Sequence, residues 1–136
     1  MGPEKISFIQ FAKNSALRFN SKIEKISIEK ESIMGGMSCG EVSLVPWQIL
    51  KKSVNYCVTV SDDYISKTIK YLANCELSYE KIIGGECSTP GIISLIGLCN
   101  DAKIKKKINL NEDSNVLLFG CEGNTDEELY QKLLNS

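Results

Sequence analysis

Apolar positions along this chain switch between two spacings, one helical and one strand-like. Ile6, Ile9, Phe11, Ala12, Ala16, Leu17 and Phe19 recur at about helical intervals, which predicts an amphipathic helix over residues 5–19. "KIEKISIEKES" then alternates apolar and charged residues, the mark of a short edge strand or an irregular excursion. "IMGGMSCGEVS" is glycine-rich and reads as a loop. "SLVPWQILKKSV" starts a helix, with Ser43 as its cap and Pro46 tolerated in the first turn.

The second half alternates more regularly. "NYCVTV" is β-prone, and "SDDYISKTIKYLANC" behind it has a capping serine, early acids and helical spacing. "EKIIGGE" reads as strand and corner, followed by "STPGIISLIGLCN", a helix apolar enough to be buried for most of its length. "DAKIKKKINLN" is a small helix ending near Asn109, and its lysine run is a solvated face without interleaved aromatics. "SNVLLFG" reads as a buried strand and "TDEELYQKLLN" as the last helix, capped by Thr125 or Asn124. Short apolar strands alternating with helices imply βαβ units. The expected architecture is therefore α/β, three layers with a mostly parallel sheet and strands near 56–60, 81–84 and 115–120. With 136 residues and neither internal repeat nor low-complexity linker, a single domain over 1–136 is expected.

Composition narrows the chemistry. A net charge of −1 offers no basic surface for nucleic acid or anionic lipid, and no apolar run reaches the roughly 20 residues of a membrane span. "MGPEKISF" lacks the layout of a signal peptide, so a cytoplasmic location is expected. Six cysteines without a CxxC pair read as small buried hydrophobes rather than a disulfide framework. The absence of histidine excludes His-based triads and His-containing zinc sites, and no metal site is expected. Reactive groups are left to carboxylates, lysines, thiols or a cofactor.

In an open parallel sheet the ligand crevice lies at the carboxyl ends of strands, where "SDD", "GGECSTPG" and "GCEGNTD" fall. "SDD" suits helix capping better than a catalytic dicarboxylate. Glu86 is an acid amid apolar sequence at a strand end, costly there without a partner. Cys121 has Glu122, Asp126, Glu127 and Glu128 around it and no cation to activate a thiolate, so it suits packing or a neutral ligand contact better than nucleophilic attack.

Three stretches in order, "SIMGGMSCGEVSLVPWQIL" (32–50), "KIIGGECSTPGIISLI" (81–96) and "INLNEDSNVLLFGCEGNTDEELY" (108–130), resemble the C-terminal part of the diaminopropionate ammonia-lyases. These are pyridoxal-phosphate enzymes of the tryptophan-synthase-β type. The resemblance covers about residues 32–130 and implies α,β-elimination of 2,3-diaminopropionate to pyruvate and ammonia by a complete enzyme. It implies that Cys121 lies against the pyridine nitrogen of the cofactor, that Glu86 stands beside the cofactor, and that Gly35 and Gly36 belong to a loop at the active-site rim. The family's cofactor lysine, substrate loop and phosphate cradle have no counterpart here, so the chain is expected to be inactive alone. Its expected partners are a small amino-acid substrate in the complete enzyme, and either a missing N-terminal half or further copies of itself. Two other readings stand beside this one: a non-catalytic binding domain that keeps the fold, and part of a serine or threonine dehydratase.

Overall fold

A computed structural model describes residues 10–13, 25 and 27–136, with backbone alone for 10–13. Strand β1 (Gln10–Lys13) pairs antiparallel with β2 (Tyr56–Thr59), Gln10 opposite Thr59 and Lys13 opposite Tyr56. The helix expected over 5–19 therefore fails at residues 10–13, and the rest of that range lies outside the described residues. Of the 22–32 stretch, the described part forms no strand. The helices are α1 (Leu44–Ser53), α2 (Ile65–Ala73), α3 (Pro90–Asn100), α4 (Ala102–Ile108) and α5 (Glu127–Asn135).

The expected parallel sheet is absent among the described residues, whose one sheet is the antiparallel pair β1–β2. Residues 81–84 and 115–120 have no regular secondary structure and form no ladder among the described residues. They approach one another at a single backbone bond, Gly85 N–H to Glu122 C=O at 3.2 Å. An apolar run becomes a strand only when a neighbouring strand takes its backbone groups; among the described residues no strand flanks these runs, and Ile82 N–H donates to the Leu72 carbonyl at 3.1 Å instead. Their side chains stay out in consequence: Val116, Leu117, Leu118 and Phe119 are all exposed.

The core is helical. α2 turns Ile65, Thr68, Ile69 and Leu72 inward, a stripe at positions i, i+3, i+4 and i+7. Against it sit Tyr130 and Leu133 of α5, Ile93 of α3, and Met34 and Cys87 from the loops. The Ser66 hydroxyl donates to the Leu133 carbonyl at 2.7 Å, which ties α2 to the last turn of α5.

Helix ends are fixed by side chains. The Asp101 carboxylate accepts from Lys103 N–H and Ile104 N–H at 2.9 Å to start α4, and Asn109 closes it at φ 57°, a left-handed stop that asparagine tolerates. α5 is capped by Asp126, which accepts from Leu129 N–H at 2.8 Å, rather than by Thr125 or Asn124. The Ser43 side chain makes no cap bond to α1.

Two further expectations change. α3 buries only Ile93 and Gly97 fully, so most of this apolar helix is half covered. All six cysteines are free and Cys87 alone is buried, against the expectation of small buried hydrophobes. No helix among the described residues is long and apolar enough to cross a membrane.

Truncating the core stripe and the exposed run should have opposite consequences. Ile69→Ala removes a side chain that is 1% exposed and should cost about 2–4 kcal/mol in urea unfolding. Leu117→Ala removes one that is 76% exposed and should stay within about 0.5 kcal/mol. Equal losses would mean that residues 115–120 belong to the core.

Candidate functional site

Three loops from distant parts of the sequence meet at Cys87. The first is the 3-10 turn Gly35–Met37, held from two sides. Met34 is buried in the core, and the Asp62 carboxylate accepts from the Ser32 hydroxyl at 2.8 Å and from Ile33 N–H at 2.9 Å. Asp62 thus anchors a loop 30 residues away, while Ser61 accepts from Asp63 N–H in the capping role expected of it. A Cβ added to Gly36 would lie 3.4 Å from the Cys87 sulfur, so the loop rests on that thiol through a residue without a side chain.

The second loop is the turn Glu86–Ser88 before α3. The Ser88 hydroxyl donates to Gly85 C=O at 2.6 Å and the Thr89 hydroxyl to Glu86 C=O at 2.7 Å, closing the turn on itself. The third is 120–123. A Cβ at Gly85 would run into the Gly123 carbonyl oxygen and the Glu122 side chain, so two loop backbones approach here as only glycine permits.

Glu86, Cys87 and Glu122 converge, their thiol and carboxylate oxygens all within 4.8 Å of one another. Burial and then the hydrogen bond to Glu122 push the Cys87 thiol up to about 11; the Gly36 backbone opposes this, and the charges of Glu122 and Glu86 add to it. At neutral pH the thiol keeps its proton and can share it with two carboxylates. Its sulfur lies 4.0 Å from Glu86 Oε1. One oxygen of Glu122 accepts from the Thr125 hydroxyl at 3.1 Å, while Oε2 is buried with no partner among the described residues. The donor set resembles a cation site, but a thiol ligates only after losing its proton. Without a cation to stabilise the thiolate, Cys87 keeps its proton and the cluster holds one unused acceptor, Glu122 Oε2.

The residues singled out from sequence separate here. Glu86 and Gly36 meet at Cys87, whereas a Cβ at Gly35 would meet nothing within 4 Å. Cys121 is exposed and does not join the cluster. Gly120 and Glu122 line an inner cavity, whereas Cys121 is exposed and is not among its lining residues. Sequence reasoning missed Cys87 and Glu122, each one position from a residue it chose; no local pattern marked them. The cavity holds about 530 Å³ between α3 and the two extended runs, with Ile83, Ile92, Ile96, Leu118 and Phe119 on its walls and no lysine among them.

Comparison with known proteins finds diaminopropionate ammonia-lyases. No family model matches the chain. It is similar to the diaminopropionate ammonia-lyase of Escherichia coli strain K12, 26% identical over 115 residues that cover 82% of this chain and 29% of the relative. It is also similar to that of Salmonella typhimurium strain LT2, 23% identical over 124 residues, 88% of this chain and 31% of the relative. Among solved structures, the Escherichia coli enzyme in complex with an aminoacrylate-PLP azomethine reaction intermediate superposes with a TM-score of 0.66. The superposition is 27% identical and covers 76% of this chain and 28% of the enzyme. The same enzyme in complex with D-serine gives 0.62, at 27% identity over 72% and 26%. The chain thus spans under a third of the length of these relatives.

The raised Cys87 pKa has a sign that can be checked. A thiol with a folded value of about 11 against 9.0 when unfolded adds stability that is complete below pH 9 and lost as pH rises through 11. The contribution is on the order of 2 kcal/mol. Urea midpoints should therefore fall between pH 9 and 11 more steeply for the native sequence than for Cys87→Ala. In mass-spectrometric alkylation at pH 8, Cys87 should be the last of the six thiols to react.

Proposed function

We propose that this chain forms one wall of the pyridoxal-phosphate site of an enzyme of the diaminopropionate ammonia-lyase kind, which eliminates ammonia from 2,3-diaminopropionate and releases pyruvate. The observation that carries this reading is the superposition on the Escherichia coli lyase at a TM-score of 0.66 over 76% of the chain. The three loops that meet at Cys87 are also the three stretches whose sequences resemble that family.

The residues present fit the ring end of the cofactor. Cys121 is an exposed thiol of the 120–123 loop. Glu122 Oε2 is a buried acceptor without a partner among the described residues. They do not supply the phosphate end or the lysine, which belong to the remaining length of such an enzyme. Bound there, pyridoxal phosphate supplies the electron sink for charge developing at the substrate α-carbon. Cys121 would stand against the pyridine nitrogen, where a thiol, unlike a carboxylate, does not favour protonating the ring, which suits simple elimination. Glu86 would stand beside the ring, next to the Cys87 thiol. Gly35 and Gly36 form a rim loop that approaches without side chains, and the small amino-acid substrate enters past it.

In an enzyme completed by its lysine-bearing part, Cys121→Ser should keep most pyruvate release, because a hydroxyl offers the same hydrogen bond. Cys121→Asp should lose about tenfold or more, because a carboxylate favours protonation of the ring nitrogen. Equal collapse of both variants refutes the assigned role. The chain alone, treated with pyridoxal phosphate and borohydride, should show no single lysine labelled stoichiometrically.

A further inference from the structure

A buried carboxylate oxygen with nothing to bond is costly, and Glu122 Oε2 is such an atom. It calls for a proton, a water or an ion, and its surroundings decide among them. The Cys87 sulfur and one carboxylate oxygen from each of Glu86 and Glu122 lie within 4.8 Å of one another. Cys87 is only 6% exposed, with its sulfur 4.0 Å from Glu86 Oε1. A water would satisfy the orphaned oxygen but leave two carboxylates facing one another. A divalent cation would bond that oxygen and offset both charges. Sulfur together with carboxylate oxygen is a donor set that suits zinc. It uses neither histidine nor a CxxC pair, the features whose absence led to the expectation of no metal site.

We infer that Glu86, Cys87 and Glu122 bind one Zn2+ ion, Cys87 as thiolate and each glutamate through one oxygen. As the Zn–S bond forms, the thiol proton passes to solvent and the ion takes its place between the carboxylates. Tetrahedral zinc holds such ligand atoms about 3.4–3.6 Å apart, so the cluster closes by about 0.5–1.5 Å, within reach of side-chain rotation. The surroundings are already set for this. The Thr125 hydroxyl holds Glu122 Oε1 at 3.1 Å and leaves Oε2 to ligate, while the Ser88 and Thr89 hydroxyls lock the turn that carries Glu86 and Cys87. Glu122 also lines the cavity beside α3, which gives the ion a way in. Three protein donors leave the fourth position open to water. The ion would tie the 86–88 turn to the 120–123 loop, where the Gly85 N–H to Glu122 C=O bond already joins them. The inference stands on the loops of this chain and not on the functional reading above.

The experiment uses the full chain, reduced and stripped with a chelator, with Zn2+ and Co2+ alone as probes. Titration should give one Zn2+ per chain with a Kd at or below about 1 μM at neutral pH. Co2+ in its place should show the near-ultraviolet charge-transfer band of a single thiolate ligand. Cys87→Ser should lose that band and weaken zinc binding by about a hundredfold, and Glu122→Gln by about tenfold or more. Cys99→Ser, which alters an exposed thiol at the end of α3, should change neither. In the native sequence, zinc should slow amide exchange over 86–88 and 120–123 together, a readout that needs no variant. A band that survives Cys87→Ser or disappears in Cys99→Ser assigns the metal to other thiols and overturns the inference. Absence of stoichiometric zinc, or zinc that leaves exchange in those two loops unchanged, overturns it as well.

Discussion

Burial of one stripe of α2 is the constraint from which the rest of the described structure follows. Ile65 and Ile69 are almost wholly inaccessible, and two of the three loops at the site contribute a side chain to their cluster, the 120–123 loop none. α5 brings Tyr130 and Leu133, α3 brings Ile93, and the two loops bring Met34 and Cys87. The stripe therefore acts as a common floor. Fully burying such side chains is worth about 1.5–3 kcal/mol each, enough to hold loops that have few backbone bonds of their own. Met34 is the clearest case, since it anchors a glycine-rich turn that would otherwise lack a fixed position.

Above that floor the chemistry is decided by charge kept near a buried thiol. Two carboxylates beside Cys87 favour its neutral form, and the neutral form in turn gives those carboxylates a proton to share. A cation in the cluster would reverse this, because it would stabilise the thiolate. The same physics distinguishes the two cysteines closest to the site. Cys87 is a buried donor shut away from reagents, and Cys121 is exposed.

The exposed run 116–119 shows how far strand formation depends on company. Its composition suits a sheet interior, yet with no adjacent ladder among the described residues it forms no strand and stays exposed. Hydrophobic sequence by itself does not bury a strand; a hydrogen-bonded neighbour and a packed layer do. The cavity beside it, walled by Leu118 and Phe119 against α3, is the counterpart of that missing layer.

What the sequence determined was local. The spacing of α2, the brief α4 stopped at Asn109, and the corner at Gly84–Gly85 were all readable, because periodicity and backbone freedom are properties of neighbouring residues. The resemblance of three stretches to one lyase family was also legible in the residues themselves. Tertiary structure decided the remainder. Whether 81–84 and 115–120 pair depends on strands elsewhere, which no local pattern contains. That Glu122 rather than Cys121 lines the cavity depends on how the 120–123 loop meets Gly85 across the fold. That Asp62 would hold the loop at Ser32, rather than only start a helix, depended on residues 30 positions apart in sequence coming within hydrogen-bond reach.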